Sequence, residues 1–136
     1  MQALAIREVV FIEEQHVPEG IERDADDARA YHVLAVKGGH AVGTGRIVPL
    51  QEAPHGQPGQ WGKIGRMAVL QSERKGGVGS RVLGALEDEA RRRGFAGIIL
   101  HAQLTALGFY QRHDYEAVGE VFDEAGMPHR QMTKRL

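Results

Sequence analysis

The sequence predicts a mixed α/β fold in which helices pack on a largely antiparallel sheet. After a first helical segment, strand-like runs separated by turn signals form a hairpin series, one strand–helix–strand unit follows, and a short helix and a last hairpin end the pattern. The chain has 136 residues, which is the length of one domain and is enough to bury a hydrophobic core without disulfide bonds. No internal repeat or break in composition divides it, so residues 1–136 are predicted to form a single domain.

The first half of the chain is predicted to contain one helix and three strands. Apolar residues spaced between charged ones predict a helix over Ala3–Gln15. The acidic segment His16–Ala28 contains Pro and Gly and is predicted to be a loop, and Leu50–Gln60 is a second loop for the same reason. The predicted strands, of which the first two form a hairpin around Gly38–Gly39, are Tyr31–Val36, Ala41–Val48 and Ile64–Leu70.

The second half begins with the clearest helix, Gly77–Arg93, whose apolar stripe predicts a face turned to the core. Three carboxylates stand four residues before arginines on the other face. The predicted ion pairs are Glu87–Arg91, Asp88–Arg92 and Glu89–Arg93. The remaining predicted elements are a buried parallel strand, a short helix and a final hairpin turning at Ala125–Gly126, namely Ala96–His101, Thr105–His113, Tyr115–Phe122 and His129–Lys134.

Composition and charge exclude several classes of protein. Apolar residues make up 42% and charged residues 26%, which is typical of a globular domain. The net charge of −1 argues against a nucleic-acid-binding protein, and the lack of cysteine excludes disulfides and thiolate chemistry. No apolar run approaches about 20 residues, and no signal-peptide pattern is present, so a cytoplasmic protein without membrane contact is predicted. None of the 7 histidines has a metal-ligand spacing, so no metal is predicted.

A glycine-rich loop precedes the clearest helix, where residues Glu73–Arg81 read ERKGGVGSR. A Walker loop needs Gly-Lys-Ser/Thr, but Lys75 precedes the glycines. A dinucleotide fingerprint G-x-G-x-x-G that starts at Gly77 needs a glycine at position 82, where the chain has Val82. The pattern that remains is R-x-x-G-x-G, formed by Arg74, Gly77 and Gly79. Unpaired N–H groups at a helix N-terminus favour an anion, so the loop either binds a pyrophosphate or is a solvated turn.

Several segments together resemble the GNAT superfamily of N-acetyltransferases. Arg74–Gly79 match its acyl-CoA pyrophosphate loop within IGRMAVLQSERKGGVGSRVLGALEDEA, and ALGFYQRHDY at residues 106–115 is similar to its second motif. FIEEQHVPEGIERD near the start and GEVFDEAGMPHRQM near the end resemble the small bacterial ElaA-like branch. These matches span nearly the whole chain, which makes the resemblance far more specific than the glycine loop alone.

The resemblance implies a GNAT-like central mixed, largely antiparallel sheet with helices on both faces. In that family an edge strand precedes the first helix, and the pattern here lacks that N-terminal strand. The edge of Tyr31–Val36 would then be exposed, and an exposed edge favours pairing with another chain. A homodimer that covers this edge is one expectation.

The resemblance also implies acetyl-CoA as the co-substrate and assigns residues to it. The pantetheine arm would pair with a splayed strand formed by Met67, Ala68 and Val69. Tyr110 would lie near the sulfur as general acid, although without the resemblance it would be a core aromatic residue whose hydroxyl meets a backbone carbonyl. The residues implied to bind the pyrophosphate are Arg74, Lys75, Gly76, Gly77, Val78, Gly79 and Ser80.

The general base has several candidates. His129 follows Pro128, a pair that resembles the base of glyphosate N-acetyltransferases, and its ordinary pKa of about 6.5 suits proton removal near neutrality. The alternative is a strand-end histidine bonded to a backbone carbonyl or exposed to solvent. Glu13, Glu14 and Glu124 are rival bases, of which the first two could equally form a solvated helix face.

The resemblance therefore predicts transfer of an acetyl group from acetyl-CoA to a primary amine of a small molecule. Transfer would be direct, because no cysteine exists to carry an acyl intermediate. The acids of the loop at residues 16–28 either favour cationic amines or only keep the loop solvated. Two alternatives remain: an acyl-CoA-binding sensor without catalysis, and a nucleotide-binding regulator that uses the same loop.

Overall fold

A mixed sheet of seven strands forms the centre of the computed structural model, which describes residues 7–11, 30–37, 39–70 and 76–136. The strand order is β1-β2-β3-β4-β5-β7-β6, and only β4 and β5 are parallel neighbours. This confirms the mixed, largely antiparallel sheet. The strands are β1 Arg7–Phe11, β2 Tyr31–Lys37, β3 His40–Pro49, β4 Trp61–Val69, β5 Gly97–Gln103, β6 Glu116–Glu124 and β7 Met127–Arg135, and the helices are α1 Val78–Arg92 and α2 Leu107–Gln111.

The N-terminal edge strand is present, which corrects two expectations. Strand β1 runs antiparallel to β2 with Val9 opposite Leu34, so the predicted helix is wrong over Arg7–Phe11 and the edge of β2 is covered. Val9 and Val10 are β-branched and favour strands, and the open edge of β2 offers backbone groups that a helix would leave unpaired. The argument for a covering partner subunit therefore no longer applies. The rest of Ala3–Gln15 and the loop His16–Ala28 lie outside the described residues.

Helix α1 packs on the sheet and buries its apolar stripe in the hydrophobic core, as predicted. Two glycines let the helix approach β3 closely, since a Cβ at Gly43 would lie 2.6 Å from Val78 Cγ1 and a Cβ at Gly45 would lie 3.0 Å from Leu86 Cδ1. The helix ends before Gly94, whose φ of +78° is favourable for glycine. The buried stripe consists of Val78, Val82, Leu83, Leu86 and Ala90, and burying each larger side chain is worth about 1.5–3 kcal/mol.

The predicted ion pairs on α1 are only partly correct. Glu89 accepts hydrogen bonds from Arg93 at 2.7 Å and also from Arg92. Asp88 pairs with Arg91 at 3.5 Å, with both side chains at least half exposed. A partner three residues away is as close on a helix as one four residues away, which explains why the predicted pair between Asp88 and Arg92 is replaced.

Glu87 does not face solvent, and the predicted pair with Arg91 is wrong. Its carboxylate is buried and accepts a hydrogen bond from the Tyr115 hydroxyl at 2.8 Å. The Lys134 ammonium donates to both carboxylate oxygens at 3.1 and 3.2 Å. Glu87 lies beside the buried stripe of α1, where its side chain faces the sheet. Tyr115 and Lys134 hydrogen-bond its carboxylate there, which compensates for the loss of hydration on burial.

Strands β4 and β5 diverge along their length. They pair with each other from Trp61 opposite Gly97 to Ile64 opposite Leu100. Beyond these residues β4 continues to Val69 and β5 to Gln103, but the two strands no longer pair with each other. Strand β4 also starts before the predicted Ile64, and its register against β3 shifts between Thr44 and Arg46, which indicates a bulge. The divergence opens a cleft in the sheet beside the start of α1.

Helix α2 closes this cleft, and the turn that follows the helix contains a residue in the left-handed conformation. Asp114 has a φ of +74°, as expected from the tolerance of Asp for this conformation. The N–H groups of Asp114 and Tyr115 donate to the carbonyls of Gln111 and Tyr110 at 3.0 and 3.1 Å, which completes a Schellman-type cap. No helix in the described part of the chain is long and apolar enough to cross a membrane.

Candidate active site

A cavity of about 420 Å³ lies between the C-terminal end of β4 and the first turn of α1. Six of the predicted cofactor-binding residues line it: Met67, Ala68, Val69, Gly77, Gly79 and Ser80. Beyond Ile64, β4 does not pair with β5 in the described part of the chain, so Met67 and Ala68 can offer backbone groups to a ligand on that side. Helix α2 supplies the opposite wall with Phe109, Tyr110, Arg112 and His113, and we call this the first cavity.

The N-cap residue of α1 is Gly77, which has no side chain to cap the backbone N–H groups of the first turn. Gly77 precedes the helix with a φ of +84°, and nothing lies within 4 Å of the position where a Cβ would be. At Gly79, a Cβ would lie 3.3 Å from Phe109 Cζ, which leaves little space for a side chain. Free N–H groups together with the helix dipole make this end of α1 suitable for an anion.

The other predicted loop residues differ in position. Val78 is buried against β3, so only its backbone is available to a ligand. Gly76 is exposed and does not line the first cavity. Arg74 and Lys75 lie outside the described residues.

One contact in the first cavity was not predicted from the sequence. The Ser80 hydroxyl and His113 Nε2 are 2.9 Å apart, and the His113 ring also contacts the Phe109 ring at a centroid distance of 5.0 Å. The bond fixes the end of α2 against the first turn of α1. The sequence contains no signal for this contact, because the two residues come from different motifs.

A second cavity of about 800 Å³ lies mainly on the sheet face that is turned away from α1. Side chains alternate along a strand, and Gly45 and the buried Ile64 face α1, so Arg46 and Lys63 point to this second cavity. Strands β5, β6 and β7 contribute His101, Gln103, Glu124 and His129.

Tyr110 lines both cavities, together with Met67 and Ala106. Its side chain is buried, and this burial raises the pKa of its hydroxyl above the ordinary value. Its ring packs edge-on against Phe109 and Tyr115, with centroids 5.0 and 5.8 Å away. No side chain or backbone group in the described ranges hydrogen-bonds this hydroxyl, so the expected alternative of a bond to a backbone carbonyl is not found there.

His129 is buried at the wall of the second cavity. Its Nδ1 lies 2.9 Å from the Met127 carbonyl oxygen, and its ring stacks on Phe122 at 6.1 Å. Because a carbonyl only accepts, Nδ1 carries the proton, and Nε2 of the neutral ring keeps its lone pair. The backbone bond named as the alternative is therefore present, and it leaves one ring nitrogen able to accept a proton.

Glu124 is paired with a histidine. His101 Nδ1 lies 2.8 Å from Glu124 Oε1, and the His101 ring meets Phe122 edge-on. Burial opposes ionisation of Glu124, but the hydrogen bond from His101 and the nearby charges of His101, His129 and Lys63 hold its pKa below the ordinary value. The rival bases Glu13 and Glu14 lie outside the described residues.

The histidines of the two cavities do not come together. His101 and His129 both contact Phe122, whereas His113 is bonded to Ser80 in the first cavity. In the ranges that the structure describes, no three His, Cys, Asp or Glu side chains are grouped so that they could hold a metal ion.

Comparison with known proteins gives concordant similarities. A family model described as an acetyltransferase (GNAT) domain matches residues 3–136. An uncharacterized N-acetyltransferase of Bacillus subtilis, YjcF, is 38% identical over 133 residues, which cover 97% of this chain and 89% of that protein. The crystal structure of Escherichia coli ElaA is 28% identical with a TM-score of 0.67, and the match covers 83% of this chain and 74% of that one.

A structure of aminoglycoside 6'-N-acetyltransferase complexed with coenzyme A has the same fold. Its TM-score is 0.63 and its identity 21%, and the match covers 84% of this chain and 82% of that one.

Proposed function

Because the chain belongs to the GNAT acetyltransferase family, we propose that it transfers an acetyl group directly from acetyl-CoA to a primary amine of a small molecule. The observation that carries this proposal is the position of Tyr110, which lines both cavities with its hydroxyl free of protein hydrogen bonds among the described residues. A donor in the first cavity and an acceptor in the second would meet at this side chain.

The first cavity is proposed to hold acetyl-CoA. Beyond Ile64, β4 does not pair with β5 in the described residues. Backbone groups of Met67 and Ala68 on that side would bond the amides of the pantetheine arm, as one strand bonds another, and Val69 would contact the arm. The pyrophosphate would lie at the N-terminus of α1 against the amides near Gly77 and Gly79. Arg74, Lys75, Gly76, Val78 and Ser80 complete the proposed binding set. The coenzyme A bound to the structural neighbour of the same fold supports this assignment.

The second cavity is proposed to hold the amine, with His129 as its base. His129 Nε2 would remove a proton from the ammonium form, directly or through a water molecule, and the freed nitrogen would attack the thioester carbonyl. Backbone N–H groups of β4 near Met67 would stabilise the oxyanion. As the carbon–sulfur bond breaks, Tyr110 would donate its proton to the departing thiolate, and the second proton of the acylated nitrogen would pass, directly or through water, to the Tyr110 oxygen and restore the hydroxyl. His129 would release the first proton to solvent.

The environment of Glu124 makes it a less suitable general base than His129. A lowered pKa makes the Glu124 carboxylate a weaker base near neutrality. His129 Nε2, by contrast, keeps a lone pair that can accept a proton. Glu13 and Glu14 remain alternatives.

Substituting Gly77→Asp is expected to weaken acetyl-CoA binding at least tenfold. The new carboxylate would bond the free N–H groups of α1 and repel the pyrophosphate, while the fold should tolerate Asp at a φ of +84°. Isothermal titration with acetyl-CoA measures the effect.

A matched control exists in Gly39→Asp, because Gly39 has the same φ of +84° and open space at the hairpin between β2 and β3. This control should bind acetyl-CoA normally. Equal affinities of the two variants would mean that the pyrophosphate lies elsewhere. Parallel titration with ATP separates the nucleotide-binding alternative, which predicts that ATP binds more tightly than acetyl-CoA.

Substituting His129→Gln is expected to lower kcat/KM by about 10²-fold, the lower end of general-base effects, because water or a nearby carboxylate can partly replace the base. Steady-state kinetics with an accepted amine measure the effect. His40→Gln, at an exposed position of the β2–β3 hairpin, serves as the control and should keep the wild-type kcat/KM. An unchanged kcat/KM in His129→Gln would assign the base to another residue.

A further inference from the structure

Lys63 is a cation of the second cavity for which the described residues supply no counter-ion at salt-bridge distance. It lies half-buried on β4, on the face turned away from α1. The cavity's carboxylate, Glu124, is held by His101 at 2.8 Å, so Lys63 acts on it only as a more distant charge. Among the residues that the structure describes, no carboxylate lies within salt-bridge distance of the Lys63 ammonium.

The described lining of the second cavity is positively charged overall. Arg46 and Lys63 each carry one positive charge, and Glu124 is the one acid in the described lining. A half-buried ammonium without a counter-ion is costly, because burial removes part of its hydration. A ligand that brings an anionic group to Lys63 would recover this cost.

We propose that Lys63 binds an anionic group of the acceptor, so that the acceptor is an amine that carries a carboxylate, or another anion, several bonds from its nitrogen. This inference rests on the proposed function, because it takes the second cavity as the acceptor site. Lys63 acts here as a specificity-determining residue and takes no part in the proton transfers.

The distance along β4 sets the spacing of the two groups. The strand from Lys63 to Met67 spans at most about 13 Å at 3.3 Å per residue, and the bulge shortens it. The flexible four-carbon stem of Lys63 covers part of that distance. An amine that reacts near Met67 and Tyr110 would therefore reach Lys63 with a chain of several carbons, whereas an α-amino acid is too short.

One of the two interpretations of the acidic segment at residues 16–28 is a preference for cationic amines, which is opposite to this inference. These acids lie outside the described residues, so acceptors of different charge are needed to decide between the two hypotheses. Three amines of the same length separate the two ideas: 4-aminobutyrate is anionic at its far end, butylamine is neutral there, and 1,4-diaminobutane is cationic.

The experiment measures kcat and KM for these amines, and for glycine and 3-aminopropyl phosphate, with the wild-type protein, Lys63→Met and Lys63→Arg at one pH. We expect the wild type to prefer the anionic amines over butylamine at least tenfold in kcat/KM, and glycine to be poorer than 4-aminobutyrate. Lys63→Met should abolish this preference by raising KM while kcat is kept. Lys63→Arg should retain the preference because it retains the charge. The comparison of 4-aminobutyrate with the phosphate identifies the preferred anion.

Two results would overturn the inference: a preference for butylamine or the diamine, or an unchanged preference in Lys63→Met. Should none of the amines be acetylated, calorimetric binding of the same amines decides the question separately. Binding of an anionic amine that Lys63→Met loses would support the inference although the proposed function had failed. Absence of such binding would refute it.

Discussion

Replacing Tyr110 with phenylalanine is expected to lower kcat by roughly 10²–10⁴-fold, the range typical of a lost general acid, while acetyl-CoA affinity stays the same. The phenyl ring keeps the edge-on contacts with Phe109 and Tyr115, so packing and the first cavity should be retained. Only the proton for the departing thiolate is lost. Steady-state kinetics with an accepted amine, together with calorimetry for acetyl-CoA, measure the two effects.

The pH dependence gives this prediction a second readout. Burial raises the pKa of Tyr110, so its hydroxyl remains protonated as pH rises through the neutral range, and kcat should fall only when that raised pKa is exceeded. This basic limb should be absent in Tyr110→Phe. Tyr31→Phe, a buried tyrosine under the other end of α1, is the control and should keep the wild-type kcat. An unchanged kcat in Tyr110→Phe would assign the acid role to another group.

Substituting Lys134→Met is expected to lower the free energy of unfolding by about 3–5 kcal/mol, the usual cost of removing one partner from a buried ion pair. Glu87 would be left buried with the Tyr115 hydroxyl as its partner. The side chains of Lys134 and Glu87 are only 14% and 9% exposed, so solvent screens them little. Urea denaturation followed by circular dichroism measures the change.

Two further variants test the cause of that loss. The double variant Glu87→Met with Lys134→Met should recover most of the lost stability, because apolar replacement of a whole buried pair is often neutral. Arg91→Met breaks the exposed pair with Asp88 and should change stability by about 1 kcal/mol or less. A small effect of Lys134→Met, similar to that of Arg91→Met, would contradict the role given to the buried carboxylate.

Local sequence patterns predicted those parts of the fold that local interactions determine. Helix α1 followed from its apolar stripe and from Gly94, and the hairpin turn of β6 and β7 followed from Ala125–Gly126, both of which have positive φ. Strand β1 was not predicted because its apolar residues have a helical spacing. The residues form a strand because they pair with β2, which is distant in sequence. Glu87 was misassigned for a similar reason, since Lys134 and Tyr115 approach it only in the folded chain.

The two cavities differ in the same way. One wall of the first cavity comes from residues close together in the chain, between Met67 and Ser80, so a sequence motif could indicate these residues. The second cavity joins Lys63 and His129 from strands that become neighbours only through the order β4-β5-β7. The resemblance of the Pro128–His129 pair therefore gave His129 as a candidate base, but no motif indicated Lys63. Contacts such as Ser80 with His113 likewise need the fold.

The central claim is that this chain moves an acetyl group from acetyl-CoA to an amine. The most direct measurement follows CoA release from acetyl-CoA in the presence of primary amines, with mass spectrometry to detect the N-acetylated product. The account predicts stoichiometric CoA and acetylated amine from the wild type and a loss of both in Tyr110→Phe. Tight binding of acetyl-CoA without turnover of any amine would contradict the claim and favour a catalytically silent acyl-CoA-binding module.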